Sequence, residues 1–79
     1  MTTMTVSERV RESIAKSLSL GIEAVTVGVT LEDLGTDSLD IVEIVIDLEA
    51  EFGVPVPDDD VESWCYVADI IRWFQDRTT

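Results

Sequence analysis

The sequence predicts an all-α protein, a small four-helix bundle with three longer helices and one short helix. Apolar residues recur at three- and four-residue intervals, and helix start and stop signals flank these segments. No two strand-like segments are long enough to support a sheet. The 79 residues are 46% apolar and include only 4 Gly and 2 Pro, as in a packed globular chain. Residues 1–79 are therefore expected to form a single domain.

The first helix is expected close to the amino terminus. Thr5 and Glu8 have the spacing of a capping box. The apolar residues that follow repeat every four positions: Val6, Val10, Ile14 and Leu18. Gly21 is expected to end this helix, because glycine readily adopts the left-handed conformation found just after many helices. Residues 20–37 then form a long loop, which alternating apolar residues are expected to pin across a pair of helices.

The second helix has the clearest boundaries. Asp37 or Ser38 can cap its start, and it is expected to run through Phe52 and end at Gly53. The two prolines that follow prevent any continuation. Acidic residues at 58–62 suit the first turn of a short third helix, because they face the positive end of the helix dipole. An apolar stripe marks the final helix: Val67, Ile70, Ile71 and Phe74.

Charge limits the kinds of partner. The net charge is -12 at pH 7, and every basic residue lies outside residues 17–71. Such a chain repels nucleic acid and anionic lipid and favours partners with basic patches, so nucleic-acid binding is not expected. The longest apolar run, residues 64–68, cannot span a bilayer, so membrane insertion is not expected either. The first residues lack the basic and apolar regions of a signal peptide, which predicts a cytoplasmic protein.

The composition also excludes several kinds of catalytic and metal site. Histidine is absent and Cys65 is the only cysteine, so a histidine-dependent triad, a His/Cys zinc site and an internal disulfide are impossible within this chain. Residues 58–69 begin with the alternating acids of a calcium loop, but Ser63 stands where such a loop needs glycine. We expect no metal site and, in so short a chain, no enzyme.

The second helix is predicted to have three faces when residues are placed about 100° apart. The acidic stripe contains Asp40, Glu43, Asp47 and Glu51. The core face contains Ile41, Ile44, Val45, Leu48 and Phe52. The third face mixes apolar, small polar and acidic residues: Ser38, Leu39, Val42, Ile46, Glu49 and Ala50. In one interpretation, this third face has a purely structural role and is buried against another helix. An unpaired carboxylate is rarely buried, however, so Glu49 favours an exposed docking surface.

Ser38 lies at the start of this helix. Unpaired backbone N–H groups and the helix dipole there favour a bound or attached phosphate. The alternative is that Ser38 simply caps the helix, since serine is a preferred capping residue.

Several motifs together resemble the acyl carrier protein family. They are Asp-Leu-Gly-Thr-Asp-Ser-Leu-Asp at 33–40, Val42-Glu43, Leu48-Glu49, Glu51-Phe52-Gly53 and Val56-Pro57-Asp58. The resemblance is strongest over residues 31–60. Family members are four-helix bundles in which the serine of the Asp-Ser-Leu motif carries 4′-phosphopantetheine from coenzyme A. The resemblance implies that Ser38 bears this arm, whose thiol holds acyl chains as thioesters.

The resemblance also implies the partners and their contact sites. A phosphopantetheinyl transferase would bring a divalent metal that Asp37 helps to position. Acyl-processing enzymes with basic patches would dock on an acidic and apolar set: Leu39, Asp40, Val42, Glu43, Ile46, Asp47 and Glu49. The acyl chain would lie between the second and third helices, against Val45, Val61, Trp64 and Val67.

One segment departs from the family pattern. Trp64-Cys65-Tyr66 stands where many relatives have a small aliphatic residue and threonines. The bulky residues either pack the core in the ordinary way or reshape the acyl pocket. The acidic second helix favours a carrier of the fatty-acid type. A polyketide or aminoacyl carrier, and an unmodified acidic adaptor that binds a basic partner, remain alternatives.

Overall fold

A computed structural model describes residues 4–78 of the protein. The four α-helices are α1 (Val6–Leu18), α2 (Ser38–Phe52), α3 (Asp58–Glu62) and α4 (Val67–Thr78), and a 3₁₀ helix (Ile22–Ala24) lies between α1 and α2. α1 packs against both α2 and α4. Residues 4–78 contain no strand, only an isolated antiparallel bridge between Thr30 and Tyr66. The predicted four-helix fold with one short helix is confirmed.

The apolar stripes of the helices meet in one continuous core. It contains no buried polar or charged side chain among the described residues. Its buried members are Val10, Ile14, Ala15, Val25, Leu31, Ile44, Leu48, Val56, Trp64, Val67, Ile70, Ile71 and Phe74. No helix within residues 4–78 has the length and hydropathy needed to cross a membrane. The first three residues, part of the basis for the predicted localisation, lie outside the described range.

α1 begins as predicted but ends earlier. The Thr5 side chain accepts from the Glu8 amide and the Glu8 carboxylate accepts from the Thr5 amide, which completes the capping box. The predicted stop at Gly21 is wrong. Ser19 ends the helix with φ 58° and ψ 41°, a left-handed conformation, and the Leu20 amide donates to the carbonyl of Ala15. A serine therefore holds the backbone conformation for which glycine is best suited.

Replacing Ser19 with glycine should stabilise the protein. Glycine adopts the left-handed conformation without steric cost, so the free energy of unfolding should rise by about 1 kcal/mol, less the entropy that glycine adds to the unfolded chain. Urea unfolding measures the change. Ser19→Ala is the matched control and should give no increase, because alanine keeps the steric conflict. An equal increase in both variants would contradict this explanation.

The long loop before α2 is held by backbone hydrogen bonds to the start of α4. The amides of Leu31, Val67 and Ala68 donate to the carbonyls of Cys65, Val29 and Val27 respectively. Val25 and Leu31 are buried and Val29 is half-buried, as the alternation predicts. Val27 is the exception, with 50% of its surface exposed, because the chain turns there and directs its side chain outward.

Asp69 caps the start of α4. Its Oδ2 atom accepts hydrogen bonds from the amides of Tyr66 at 2.9 Å and Cys65 at 3.0 Å. These two bonds lower the pKa of the Asp69 carboxyl below its ordinary value, because they stabilise the ionised form. The short connection between α3 and α4 is thereby fixed at the helix start.

Asp69→Asn should destabilise the protein at neutral pH. The folded state lowers the pKa of Asp69, so its contribution is fully present above the unfolded value of about 3.9 and disappears as pH falls through the lower folded value. We expect a loss of about 0.5 kcal/mol at pH 7, because asparagine keeps an acceptor oxygen but lacks the charge that the positive helix end favours, and no loss below the folded pKa. Denaturant unfolding, measured at pH values from 7 to below the folded pKa, gives the difference in free energy of unfolding between the variant and the wild type. Asp76→Asn, which removes an equal charge from exposed α4 surface, should cause no comparable loss at pH 7.

Candidate functional site

The start of α2 is defined by a reciprocal cap. Asp37 is the N-cap residue, and its Oδ1 accepts from the Asp40 amide at 2.9 Å. Asp40 Oδ2 in turn accepts from the Asp37 amide at 3.1 Å. Of the two predicted capping residues, Asp37 takes this role. The interpretation that Ser38 serves only as the helix cap is therefore wrong.

Ser38 occupies the first helical position with an exposed side chain. No group within residues 4–78 forms a hydrogen bond with its hydroxyl. The backbone N–H groups of Ser38 and Leu39 are also unpaired within this range, as expected for the first turn of a helix. A free hydroxyl thus lies beside two free amides at the positive end of a 15-residue helix.

The segment leading into Ser38 is a series of tight turns. Leu34 and Gly35 donate their amides to the carbonyls of Leu31 and Glu32, and the Thr36 hydroxyl donates to the Leu31 carbonyl at 2.8 Å. Gly35 has φ 77°, a conformation that strongly favours glycine, and open space surrounds it. These turns fix the approach to α2 and leave the Ser38 hydroxyl uncovered.

The third face of α2 is open to solvent at its apolar residues. Leu39, Val42 and Ile46 expose 66%, 52% and 57% of their surfaces. The structural alternative, in which another helix buries this face, is therefore wrong. Large apolar side chains clustered along one exposed helix face are a common feature of protein interaction sites.

Glu49 differs from its predicted position at the centre of this exposed face. It is half-buried, and its Oε2 accepts a hydrogen bond from the Val56 amide at 2.7 Å. The carboxylate thereby holds the chain that leaves α2, a long-range contact that helix periodicity alone does not predict. The face is exposed, but Glu49 lies at its edge and has a structural role.

The remaining acids of α2 differ in their partners. Glu51 forms a salt bridge with Arg9 at 2.8 Å, and Asp47 accepts from the Ser17 hydroxyl at 2.8 Å. Glu43 is exposed and Asp40 participates in the helix cap. The two ion pairs within residues 4–78 are Arg9–Glu51 and Arg77–Asp60, so Asp40, Glu43 and Asp47 form no salt bridge in this range. The exposed face therefore keeps a negative border.

The predicted acyl-pocket residues are closely packed. Val67 is fully buried, Trp64 is buried, and Val45 and Val61 are half-buried against the core. An open groove of about 750 Å³ lies instead between α1 and α2, and its lining includes Ile46 and Asp47. A smaller depression of about 230 Å³ lies outside Trp64 on the α4 side. Neither is lined by Val45, Val61 or Val67.

Comparison with known proteins adds independent information. Residues 8–74 match the family model described as a phosphopantetheine attachment site. The chain is 38% identical to an acyl carrier protein of Campylobacter hominis over 73 residues, which cover 91% of this chain and 92% of the relative. It is 40% identical to an acyl carrier protein of Campylobacter curvus over 73 residues, covering 91% and 95%. A Clostridium perfringens acyl carrier protein is 38% identical over 72 residues, covering 90% and 95%.

The chain belongs to the acyl carrier protein family. Its prosthetic group is a covalently attached 4′-phosphopantetheine, and it acts as a carrier rather than as a catalyst. The predictions of family, cofactor and carrier function are confirmed.

Trp73 lies near the predicted acyl pocket of this carrier but is not among the site residues predicted from the sequence. The Trp73 indole N–H donates to Asp60 Oδ2 at 2.9 Å and so connects α4 to α3. The Arg77 guanidinium lies 3.8 Å from the centre of the Trp73 ring. Trp73 falls outside the apolar stripe of α4, and its position three residues after Ile70 could have identified it as a neighbour of that stripe.

Proposed function

We propose that Ser38 is the attachment residue and that the protein carries acyl intermediates of a fatty-acid type of synthesis. The observation that carries this proposal is the exposed, unpaired Ser38 hydroxyl at the first position of α2. The turns of residues 30–36 hold it clear of the core. A second protein can therefore reach the oxygen without unfolding any helix.

Attachment requires transfer of a phosphoryl-linked group to this oxygen. Ser38 Oγ attacks the phosphorus of coenzyme A that bears the pantetheine, an O–P bond forms, the phosphoanhydride bond breaks and adenosine bisphosphate leaves. The Ser38 proton must pass to a base of the transferase, because this chain has no histidine to accept it. Once bound, the arm supplies a thiol that holds an acyl group as a thioester.

The residues around Ser38 suit a phosphodiester. The unpaired amides of Ser38 and Leu39 and the positive end of the helix dipole stabilise negative charge there. Asp37 uses Oδ1 for the helix cap, which leaves Oδ2 to contact a divalent metal brought by the transferase. The metal offsets the repulsion between the acidic helix start and the phosphates of coenzyme A.

The exposed face of α2 suits enzymes with basic patches. Leu39, Val42 and Ile46 provide apolar contact area, and Asp40, Glu43 and Asp47 provide the charged border. Charge accelerates encounter and selects the orientation, whereas the apolar residues contribute most of the affinity. Glu49 contributes less than its neighbours, because one of its oxygens already binds the Val56 amide.

Val42→Ala should weaken recognition by the transferase. A central apolar anchor that contributes about 1.4 kcal/mol to recognition changes the rate tenfold, so kcat/KM for arm transfer should fall by about tenfold. Val27→Ala is a closely matched control, since Val27 exposes 50% of its surface against 52% for Val42 but lies in the loop before α2. Equal rates for both variants would contradict the docking assignment.

The proposed function is tested with acylated coenzyme A and a broad-specificity phosphopantetheinyl transferase. Intact-protein mass spectrometry should detect one added acyl-phosphopantetheine, and hydroxylamine should remove only the acyl group. No mass gain would overturn the assignment of Ser38. The cargo is tested on protein purified from its native cell, where a fatty acyl mass supports our proposal and a polyketide or aminoacyl mass supports the alternative carrier.

A further inference from the structure

Four aromatic rings fill the interior between the carboxyl-terminal half of α2 and helices α3 and α4. Phe52 stacks on Phe74 with ring centres 4.7 Å apart, and Trp73 meets the other side of this pair edge-on, 4.8 Å from Phe74. Trp64 lies 6.3 Å from Phe74 and 6.1 Å from Trp73. We call these four residues the aromatic cluster. Its contacts join α2, the α3–α4 connection and α4.

Polar contacts at its rim fix the aromatic cluster. The Trp73 indole donates to Asp60, and Arg77 covers the outer face of the same ring. Phe74 is fully buried and Trp64 is buried. Arg9 lies 4.3 Å from the centre of the Phe52 ring while it pairs with Glu51. The rings therefore have partners on several sides and cannot move without breaking these contacts.

The aromatic cluster is linked to the chain that leads into the proposed attachment residue. The Cys65 carbonyl, next to Trp64, accepts from the Leu31 amide at 2.9 Å. The Leu31 carbonyl accepts from the hydroxyl of Thr36, two residues before Ser38. Phe52 is the last residue of α2 and lies about 21 Å along the helix axis from Ser38. Trp64 is thus the member most directly connected to the Ser38 end.

We propose that the aromatic cluster, through Trp64, keeps long acyl chains such as dodecanoyl outside the helical bundle of this carrier. This inference rests on the proposed attachment of the arm to Ser38. A long chain directed between α2 and α3 would have to separate Val45, Val61 and Val67, which pack in the same apolar core as Trp64. Entry would have to displace a buried tryptophan that contacts two other rings. Large aromatic side chains dominate core energetics, so this displacement is strongly opposed.

The test compares butanoyl and dodecanoyl forms of the whole protein. Both are loaded directly from the corresponding acyl-coenzyme A by a broad-specificity transferase, so that no biosynthetic enzyme selects the chain. Thioester cleavage by hydroxylamine is then timed by mass spectrometry. Each methylene that enters the interior should favour the protected state by roughly fourfold, so an enclosed dodecanoyl chain would slow cleavage by far more than tenfold. We expect the wild-type rates to agree within about twofold, because neither chain is enclosed.

Variants then test the part played by Trp64. Trp64→Leu and Trp64→Ala should slow cleavage of the dodecanoyl form and leave the butanoyl form unchanged. The leucine variant leaves the smaller cavity and serves if the alanine variant does not fold. Tyr66→Ala is the control, because it removes an exposed ring from the same segment and should leave both rates at wild-type values.

The outcomes separate the two proposals. A wild-type dodecanoyl thioester protected more than about tenfold would overturn the chain-length inference and leave the attachment assignment intact. If hydroxylamine cleaves the dodecanoyl thioester at the wild-type rate in every folded Trp64 variant, then Trp64 does not keep the chain out and the inference is overturned. Failure of both acyl-phosphopantetheines to attach would overturn the proposed attachment together with the inference that depends on it.

Discussion

Ser38→Ala should abolish attachment of the phosphopantetheine arm. The substitution removes the oxygen that forms the new bond to phosphorus, so the transferase should produce no mass gain even after prolonged incubation. The fold should persist, because the Ser38 side chain is exposed, makes no hydrogen bond within residues 4–78 and does not cap α2. The free energy of unfolding should therefore change by less than about 0.5 kcal/mol.

Ser63→Ala is the control for this experiment. Ser63 is also exposed, but its hydroxyl donates to the Asp60 carbonyl at the end of α3. This variant should accept the arm at the wild-type rate, measured by intact-protein mass spectrometry under the same conditions. An arm on folded Ser38→Ala would contradict the assignment, because another hydroxyl would then be the true attachment site.

Phe74→Ala should cause the largest loss of stability. Phe74 is fully buried on α4 and contacts Phe52, Trp64 and Trp73. Removing a buried ring leaves a cavity and typically costs 3–5 kcal/mol, roughly 150- to 5,000-fold in the folding equilibrium. Domains of this size are stable by only about 5–15 kcal/mol, commonly at the low end. Much of the variant should therefore be unfolded at physiological temperature.

Phe52→Ala provides a graded comparison in the same ring pair. Phe52 is half-buried, so its truncation removes less apolar surface from the core and should cost distinctly less than truncation of Phe74. Thermal and urea unfolding of both variants supply the measurement. A loss below about 1 kcal/mol for Phe74→Ala would mean that the aromatic cluster is looser than these contacts indicate.

The boundaries of α2 could be predicted because local signals agree there. An acidic cap at Asp37, a left-handed glycine at Gly53 and the prolines beyond it all act within a few residues, and the structure follows them. The core positions Ile44 and Leu48 likewise follow from helical periodicity alone. Local sequence chemistry also identified Ser38 as a residue at the start of a helix.

Contacts between distant segments could not be predicted from these local signals. Ser19 ends α1 before Gly21 is reached, because the long loop must turn there for Val25 to enter the core and for Arg11 to bond its carbonyl. Glu49 is withdrawn from the exposed face by the Val56 amide. Both results depend on where chain segments meet after folding, which residue spacing within one helix does not encode.

The aromatic cluster was only partly predictable for the same reason. Trp64 departs from the family pattern in the sequence, but its packing depends on Phe74 and Trp73 from α4. Trp73 is fixed by the hydrogen bond that its indole N–H donates to Asp60, 13 residues away on α3. The sequence gives these residue types but does not show which of them pack together in the core.

The most direct test of the central claim is to locate the arm on the unmutated protein. The protein is incubated with coenzyme A and the transferase, digested, and its peptides are sequenced by tandem mass spectrometry. We predict that the added phosphopantetheine lies on Ser38 and on no other residue. Its localisation to any other serine or threonine, with Ser38 unmodified, would contradict the claim that the free hydroxyl at the start of α2 is the site of attachment.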